Sequence, residues 1–224
     1  MLSTQYVSEP TGTPLQFIID NTRLLTPPLV PEVRLHLAEE SLPIWQKTEE
    51  ELGELNVPPP FWAFAWAGGQ ALARYILDNR AIVSGRTVLD LGSGSGLSAI
   101  AARVAGAKRV LAADIDAFAL AAMALNARAN GVEIESTSDD LLASAPGAFD
   151  VVLVGDLFYE RALAEAVLRY ARAAKAQGAH VLVGDPRRSY FPKDAFTQVA
   201  AYAVPVTREL EDAEIKHTAV WQLA

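Results

Sequence analysis

The chain has 224 residues, of which 51% are hydrophobic and 21% are charged, and its formal net charge at pH 7 is −8. This composition predicts a globular protein with a full hydrophobic core, and the negative charge argues against broad binding to nucleic acid, which needs a basic face. The sequence contains no cysteine, which excludes disulfides, thiol nucleophiles and thiolate metal sites.

The N-terminal stretch MLSTQYVSEPTGTP lacks the basic start and apolar block of a secretory signal and the arginines of a transit peptide. No apolar run in the chain approaches the roughly 20 residues that span a bilayer. We therefore expect a cytoplasmic protein without a membrane partner. The alanine-rich composition, in which arginine outnumbers lysine, is typical of a GC-rich bacterium.

Residues 1–79 are predicted to form a helical extension that packs on the main domain. The pattern over 15–55 is largely helical, with a break in the proline-rich stretch at 26–31. Pro31, followed by an acidic residue, is typical of a helix start, and Gly53 is typical of a helix end. We therefore predict a helix between these two residues.

Residues 80–224 are predicted to form the main domain, which a helix at 70–79 precedes. Its predicted strands are 86–91, 109–114, 132–136, 149–154 and 180–185. Its predicted helices are 97–105, 117–130, 160–176 and 193–202. This alternation indicates an α/β fold with a doubly wound, mostly parallel sheet. Two final strands, at about 204–210 and 216–223, have no helix between them and are predicted to pair as an antiparallel hairpin.

Three glycines at alternate positions, Gly92, Gly94 and Gly96, separate the first of these strands from the helix that follows it. One tight turn needs one glycine, whereas three indicate a backbone that approaches a ligand at a helix N-terminus. Ligands of doubly wound sheets bind at the carboxyl ends of the strands. The loop is therefore predicted to bind a ligand, with Ser93 among the contacts.

Asp90, just before this loop, indicates the kind of ligand. A carboxylate at this position would repel a pyrophosphate, but it suits a ligand that carries an ammonium and no phosphate. Leu97 stands where the dinucleotide fingerprint places its third glycine. These two residues disfavour a nicotinamide dinucleotide and favour S-adenosylmethionine.

Further carboxylates follow the next two strands. Asp114 is placed to accept hydrogen bonds from both ribose hydroxyls, with Ile115 beside it as a further contact, whereas capping of the following helix is more natural for Asp116. Asp139 and Asp140 could accept from an adenine amino group or could form a solvated turn, and both interpretations stay open. Together these features indicate a methyltransferase.

The fourth strand ends in GDLFYE, which places a carboxylate and two aromatic residues where the chain leaves the core. Asp156 could attract and orient an acceptor ammonium, while Phe158 and Tyr159 could form an apolar wall with cation–π attraction. Alternatively, Asp156 caps the helix that starts near Glu160, and the aromatic residues pack in the core. We predict the functional role, which can coexist with capping.

The element order and the motif VLDLGSGSG resemble the seven-stranded, Rossmann-like S-adenosylmethionine methyltransferases over residues 80–224. The segments NTRLLTPPLVPEVRLHLAEESLPIWQKTEEELG, PPPFWAFAWAGGQALARYILDN, GDLFYE and GDPRR extend the resemblance over nearly the whole chain. They are similar to the electron-transfer-flavoprotein β-subunit lysine methyltransferase family. The D-x-F-Y arrangement resembles the signature of the protein-lysine methyltransferase group that contains this family.

This resemblance implies a protein-lysine N-methyltransferase that uses S-adenosylmethionine and acts on the electron transfer flavoprotein β subunit. It implies that Asp90, Gly92, Gly94 and Asp114 hold the cofactor and that residues 156–159 face the acceptor. Members usually carry proline where this chain has Ala67; Trp66 and Gly68, on either side of it, are carried over as cofactor contacts.

Several alternatives remain at this stage. The same chemistry could serve a ribosomal protein or a small amine. A non-catalytic module that binds S-adenosylmethionine is disfavoured because the segment 156–159 is intact. His36, His180 and His217 are scattered without metal-ligand spacing, so no metal site is expected. The oligomeric state is left open.

Overall fold

The computed structural model describes residues 14–39, 60–206, 211 and 213–224. Its helices are α1 (Pro14–Asn21), α2 (Ala67–Asp78), α3 (Leu97–Val104), α4 (Ala117–Ala129) and α5 (Arg161–Ala176). Its strands are β1 (Arg23–Leu25), β2 (Leu35–Leu37), β3 (Thr87–Leu91), β4 (Arg109–Ala113), β5 (Glu135–Thr137), β6 (Val151–Gly155), β7 (His180–Asp185), β8 (Phe196–Pro205) and β9 (Ile215–Leu223). None of the described helices is long and apolar enough to cross a membrane.

Strands β3 to β9 form one sheet in the order β5-β4-β3-β6-β7-β9-β8. Strands β3 to β7 pair in parallel, and β9 is antiparallel to both of its neighbours. The predicted α/β fold, with a mostly parallel sheet and a C-terminal antiparallel hairpin, is confirmed. The strand order reverses at β3, between β4 and β6, and such a switch point forms a crevice at the carboxyl ends of the strands.

The central strands are apolar along their length because helices cover both faces of the sheet. Leu153 of β6 packs on one face with residues of α2, α3 and α4. Its neighbours Val152 and Val154 pack on the other face with residues of α5. Ile18 and Val30 belong to the first of these cores, so the described N-terminal residues pack on the main domain.

Helix α2 approaches the strand ends so closely that only glycine fits at the contact. A Cβ atom on Gly68 would lie 2.2 Å from the carbonyl oxygen of Gly184, and one on Gly184 would lie 2.0 Å from the carbonyl oxygen of Gly68. A Cβ on Gly155 would lie 3.4 Å from the Cα of Gly69. The two glycines of α2 therefore bring its first turn against the carboxyl ends of β6 and β7.

Two predicted helices are wrong. Within the helix predicted from Pro31, Leu35–Leu37 instead forms strand β2, which pairs with β1; residues 40–59 lie outside the described residues. In the helix predicted at 193–202, only Lys193–Ala195 is helical, as a single 3-10 turn, and Phe196–Pro205 forms β8 along β9. Strand pairing here overrides the helix preference of the alanines.

Candidate active site

The loop between β3 and α3 holds its three glycines in the left-handed region of backbone conformation. The φ angles are +65° at Gly92, +53° at Gly94 and +82° at Gly96. The side chain of Leu157 covers Gly92, since a Cβ there would lie 2.6 Å from its Cδ1 atom. The space at Gly94 is open, because a Cβ there would approach no described atom more closely than the Cα of Trp62, at 3.8 Å. A ligand can therefore reach the backbone at Gly94.

Asp90 lies beneath this loop and is 2% exposed. Its Oδ2 atom accepts hydrogen bonds from the hydroxyl of Ser93 at 2.5 Å and from the backbone N–H of Ala99 at 3.0 Å. Burial raises the pKa of the Asp90 carboxyl to about 6, although these hydrogen bonds oppose the shift. Asp90 therefore fastens the loop to the first turn of α3, and its predicted contact with the cofactor stays a prediction.

Asp114 follows β4 and is partly exposed at the crevice. Its Oδ2 accepts from the N–H of Gly94 at 2.9 Å and its Oδ1 from the N–H of Asp116 at 3.1 Å. Asp116 is the N-cap of α4 and accepts from the N–H of Phe118 at 2.8 Å, so capping falls to Asp116 as expected. A carboxylate oxygen can accept a second hydrogen bond. Asp114 can therefore serve ligand hydroxyls, beside an Ile115 that is 75% exposed.

Asp139 and Asp140 are exposed after β5 and both support the turn that follows. Asp139 accepts a hydrogen bond from the hydroxyl of Thr137 at 2.8 Å. Asp140 accepts from the N–H of Leu142 at 3.0 Å and thereby caps the short 3-10 turn Leu141–Ala143. The solvated-turn interpretation accounts for both, and a contact with adenine stays a prediction.

Asp156 follows β6, is 8% exposed and has a φ of +57°. Its Oδ2 accepts from the N–H of Gly69 at 2.9 Å, and its Oδ1 accepts two N–H groups of Arg188, at 3.0 and 2.7 Å. Helix α5 starts only at Arg161, and its N-cap is Glu160. Capping of α5 by Asp156 is therefore wrong, because the carboxylate binds the first turn of α2 instead. Burial raises the pKa of the Asp156 carboxyl, and the charge of Arg188 opposes the shift.

Arg188 connects several parts of the site, although nothing in its local sequence predicts this role. It donates two further hydrogen bonds to Glu211, at 3.0 and 2.7 Å, and its guanidinium lies 5.5 Å from the ring centre of Trp66. The only sequence signal for it was its place in the GDPRR segment. Its partners are distant in sequence, so only the fold reveals them.

The two aromatic residues after Asp156 have different environments. Phe158 is fully buried, with its ring centre 5.3 Å from that of Phe191 and 6.0 Å from that of Phe196. Its predicted role in the acceptor wall is therefore wrong, because it belongs to the core. Tyr159 is 45% exposed, and its ring centre lies 5.7 Å from that of Phe61, which is 47% exposed. These two rings form an exposed aromatic rim, which adjoins Trp66 through Phe61.

Trp66 and Gly68 flank the start of α2. The indole N–H of Trp66 donates to the backbone oxygen of Phe61 at 2.9 Å, which places Trp66 between the aromatic rim and Arg188. Gly68 is buried, and its contact with Gly184 already requires a glycine. The cofactor contacts predicted for Trp66 and Gly68 stay predictions. Among the described residues, no group of three or more His, Cys, Asp or Glu side chains could hold a metal ion.

Comparison with known proteins identifies the family. The chain is 37% identical over 213 residues to the electron transfer flavoprotein beta subunit lysine methyltransferase of Danio rerio, covering 92% of this chain and 81% of that protein. It is 38% identical over 199 residues to the Mus musculus protein of the same name, covering 86% and 77%. The chain belongs to this family.

Two further comparisons describe the methyltransferase domain and the fold of this protein. A model of the family described as ribosomal protein L11 methyltransferase (PrmA) matches residues 70–184. The structure of magnesium protoporphyrin IX methyltransferase from Synechocystis PCC 6803 shares the fold, with a TM-score of 0.52 at 18% identity over 70% of this chain and 80% of that one. The protein is a protein-lysine methyltransferase, and its methyl donor is S-adenosylmethionine.

Proposed function

We propose that this protein methylates lysine side chains of the electron transfer flavoprotein β subunit. The observation that carries the proposal is the match to relatives named for that activity, which spans more than three quarters of their length. The aromatic rim supports a protein acceptor, because Tyr159 and Phe61 are about half exposed and adjoin Trp66, which lies over Arg188, the partner of Asp156. We propose that a long side chain passes this rim to reach Asp156.

The residues at the crevice fit S-adenosylmethionine. The backbone at Gly94 is open, Asp114 presents a partly exposed carboxylate for hydroxyl groups, and Ile115 presents an exposed apolar surface. Asp90 and Ser93 hold the loop in this shape through their mutual hydrogen bond. When bound, the cofactor supplies a methyl group on a positively charged sulfur, and that sulfur keeps the electron pair of the broken bond.

The residues around Asp156 would receive the lysine. A free lysine amine has a pKa of about 10.4 and must lose its proton before its lone pair can attack. We propose that Tyr159 and Phe61 flank the aliphatic part of the side chain. Among the described residues, the Oδ2 atom of Asp156 accepts one hydrogen bond, from Gly69, and it can accept another from an amine N–H. This would orient the nitrogen for attack.

Replacement of Asp156 by asparagine tests this role. Asparagine can still accept from Gly69, but it carries no charge for Arg188. We expect transfer to the electron transfer flavoprotein β subunit to fall by about 100-fold, with cofactor affinity within a few-fold of wild type because the Asp156 side chain bonds to Gly69 and Arg188 and not to the glycine loop. The replacement Asp156→Ala should be at least as damaging. Wild-type turnover by the folded asparagine variant would refute an acceptor role for Asp156.

A second candidate acceptor is a ribosomal protein. The match of residues 70–184 to a family described by ribosomal protein L11 favours it. The net charge of −8 disfavours a nucleic acid acceptor. Incubation of the enzyme with labelled methyl donor and each purified acceptor separates the candidates. Preferential labelling of ribosomal protein L11, or of small amines alone, would overturn the first proposal.

We also propose a cytoplasmic location and a bacterial source. Their support is compositional: a reducing compartment suits a chain without cysteine, and alanine and arginine are abundant. The two relatives described above come from Danio rerio and Mus musculus, which are eukaryotes, so the comparisons do not support the bacterial source. Detection of the native protein in a membrane or organelle fraction would contradict the location.

A further inference from the structure

The carboxylate that would receive the lysine already has a cationic partner. Arg188 makes four hydrogen bonds in all to Asp156 and Glu211. Its side chain is 18% exposed and that of Asp156 is 9% exposed, so water screens this pair poorly. The ring of Trp66 lies beside the guanidinium, 5.5 Å from its centre. The pair is therefore fixed in position before any acceptor arrives.

The charges around Asp156 come from four parts of the fold and nearly cancel. Asp156 and Glu211 are negative, whereas Arg188 is positive and Lys216 of β9 lies 3.4 Å from a carboxylate oxygen of Glu211. The fifth group is Asp185 at the end of β7, where burial and the nearby Asp156 raise the carboxyl pKa to about 7. The surroundings of the Asp156 carboxylate therefore carry little net charge.

The turn after β7 positions Arg188. The Oδ1 atom of Asp185 accepts the backbone N–H of Arg188 at 2.7 Å. Arg187 between them has a φ of +68°, which is unfavourable for a residue with a side chain. Such backbone strain persists only where surrounding contacts fix it. Here the contacts that hold the turn are the hydrogen bonds of the Arg188 guanidinium to the Asp156 and Glu211 carboxylates.

The near balance of charge around Asp156 affects which protonation state of the acceptor lysine is bound. A carboxylate without a partner would favour the ammonium form of a nearby lysine, but only the neutral amine has a lone pair for attack. We propose that Arg188 is a positioning residue of the acceptor site, which fixes the Asp156 carboxylate and compensates its charge so that lysine is held as the neutral amine. The proton leaves to water, and Asp156 remains a hydrogen-bond acceptor for the amine. The inference rests on the proposed transfer to lysine.

Three variants test this inference on the full-length protein. Arg188→Met removes the charge, Arg188→Lys keeps it, and Arg187→Met is the matched control at the neighbouring arginine. The maximal rate of transfer to the electron transfer flavoprotein β subunit is measured from about pH 6.5 to 10, per folded molecule, together with KM, cofactor affinity and melting temperature. The pH profile is the decisive readout, because a purely structural defect does not displace it.

We expect Arg188→Met to lose at least about tenfold in kcat near pH 7.5 and to recover much of it near pH 9.5, because its rising limb moves up by about one pH unit. Arg188→Lys should keep the wild-type pH profile at a lower rate, since an ammonium cannot bond both carboxylates as a guanidinium does. Arg187→Met should keep the wild-type pH profile, although loss of the Arg187 contact with Trp221 would lower its rate by a few-fold at most.

Superimposable pH profiles for wild type and Arg188→Met would overturn the inference, as would an Arg188→Lys profile displaced as far as that of Arg188→Met. If Arg188→Met does not fold, the double variant Arg188→Met, Glu211→Gln replaces it, because it removes one of the two carboxylates left without a partner. A wild-type enzyme that methylates no lysine would instead refute the proposed function, and this inference with it. If the wild type is active but Arg188→Met has the same pH profile, the inference about Arg188 is refuted and the proposed function is not.

Discussion

Burial makes ionisation of two carboxyl groups, Asp185 and Asp90, unfavourable. Asp185 is fully buried, and its Oδ2 atom has no hydrogen-bond partner among the residues that the structure describes. Burial raises its pKa to about 7, and the same cause raises the pKa of Asp90 to about 6. A carboxyl whose pKa is higher in the folded than in the unfolded protein stabilises the fold only at low pH.

The replacement Asp185→Asn should change how stability depends on pH. The contribution of the wild-type carboxyl is fully present below about pH 4 and is lost as the pH rises through about 7. Relative to wild type, the asparagine variant should therefore gain stability between about pH 5 and pH 8, on the order of 1–3 kcal/mol at the upper end. Urea denaturation at several pH values measures this.

The matched control for this experiment is Asp150→Asn at the exposed start of β6. Asp150 accepts hydrogen bonds from the backbone N–H and the hydroxyl of Thr87, and the N–H bond is the main cause that lowers its pKa. Its stabilisation is fully present above its unfolded pKa, near 4, so its loss should be constant between about pH 5 and pH 8. A constant difference for Asp185→Asn as well would contradict the argument from burial.

Asp114→Ala should weaken cofactor binding more than it weakens the fold. The carboxylate would lose its hydrogen bonds to the ribose, which are worth on the order of 2–3 kcal/mol, and the bond that holds Gly94. Calorimetric titration with S-adenosylmethionine, after chelator treatment, gives the affinity. Asp116→Asn is the control, because asparagine caps a helix as well as aspartate. Unchanged affinity in folded Asp114→Ala would make Asp114 purely structural.

The site residues that could be predicted from sequence are those whose role depends on local structure. The turn at the glycine loop, the place of Asp114 after β4 and the capping by Asp116 follow from position relative to one strand and one helix, while the cofactor contacts stay predictions. The burial of Phe158 and the pairing of Asp156 with Arg188 depend on side chains from distant elements. A strand-end aromatic has the same local sequence whether it faces a ligand or the core, so the pattern alone could not decide.

At the level of elements, the contact between α2 and β7 fixes the geometry of the acceptor side. The backbone of α2 touches that of β7 at Gly68 and Gly184. The N–H of Gly69, one residue further on, binds Asp156. The first turn of α2 therefore fixes both the position of this helix against β7 and the position of the Asp156 carboxylate.

Two neighbouring glycines allow a matched test of this contact. Gly68→Ala would place a Cβ atom 2.2 Å from a backbone oxygen, whereas Gly69→Ala would have nothing within 4 Å. We expect Gly68→Ala to lower the free energy of unfolding by about 3 kcal/mol and to lower transfer activity. Gly69→Ala should raise stability by up to about 1 kcal/mol through helix propensity. Equal urea midpoints for the two variants would show that the backbones are further apart.

The order of elements from β3 to β7 could be predicted because β3, β4, β6 and β7 are largely apolar runs that alternate with helical segments. Strand β5 (Glu135–Thr137) is short and mostly exposed, and only its first two residues lie within the predicted strand 132–136. Strand β8 could not, since FTQVAAYAVP is rich in alanine and resembles a helix. Only its pairing with β9 makes it a strand. The same limit applies to β2, which is a short strand in a stretch with helical periodicity.

At the scale of the whole molecule, the net charge of −8 affects how an acceptor arrives. A surface rich in lysine is attracted to an acidic enzyme, and salt screens that attraction. Raising sodium chloride from about 0.05 to 0.5 M should therefore lower kcat/KM for a basic protein acceptor several-fold through KM, with kcat unchanged. A small lysine derivative that is capped at both ends and carries only the single charge of its side chain serves as the control, and equal salt dependence for both would refute electrostatic attraction by the acceptor surface.

The position of β9 between β7 and β8 has a consequence for how the chain is made. Strand β8 contacts the sheet only through β9, although β8 precedes β9 in the chain. Residues 196–205 are made before their pairing partner, and the outer edge of β7 stays open until that partner arrives. Unpaired edges of this kind recruit other strands. The segment 215–223 therefore closes two edges at once, and a variant in which this segment does not pair would expose both edges to aggregation.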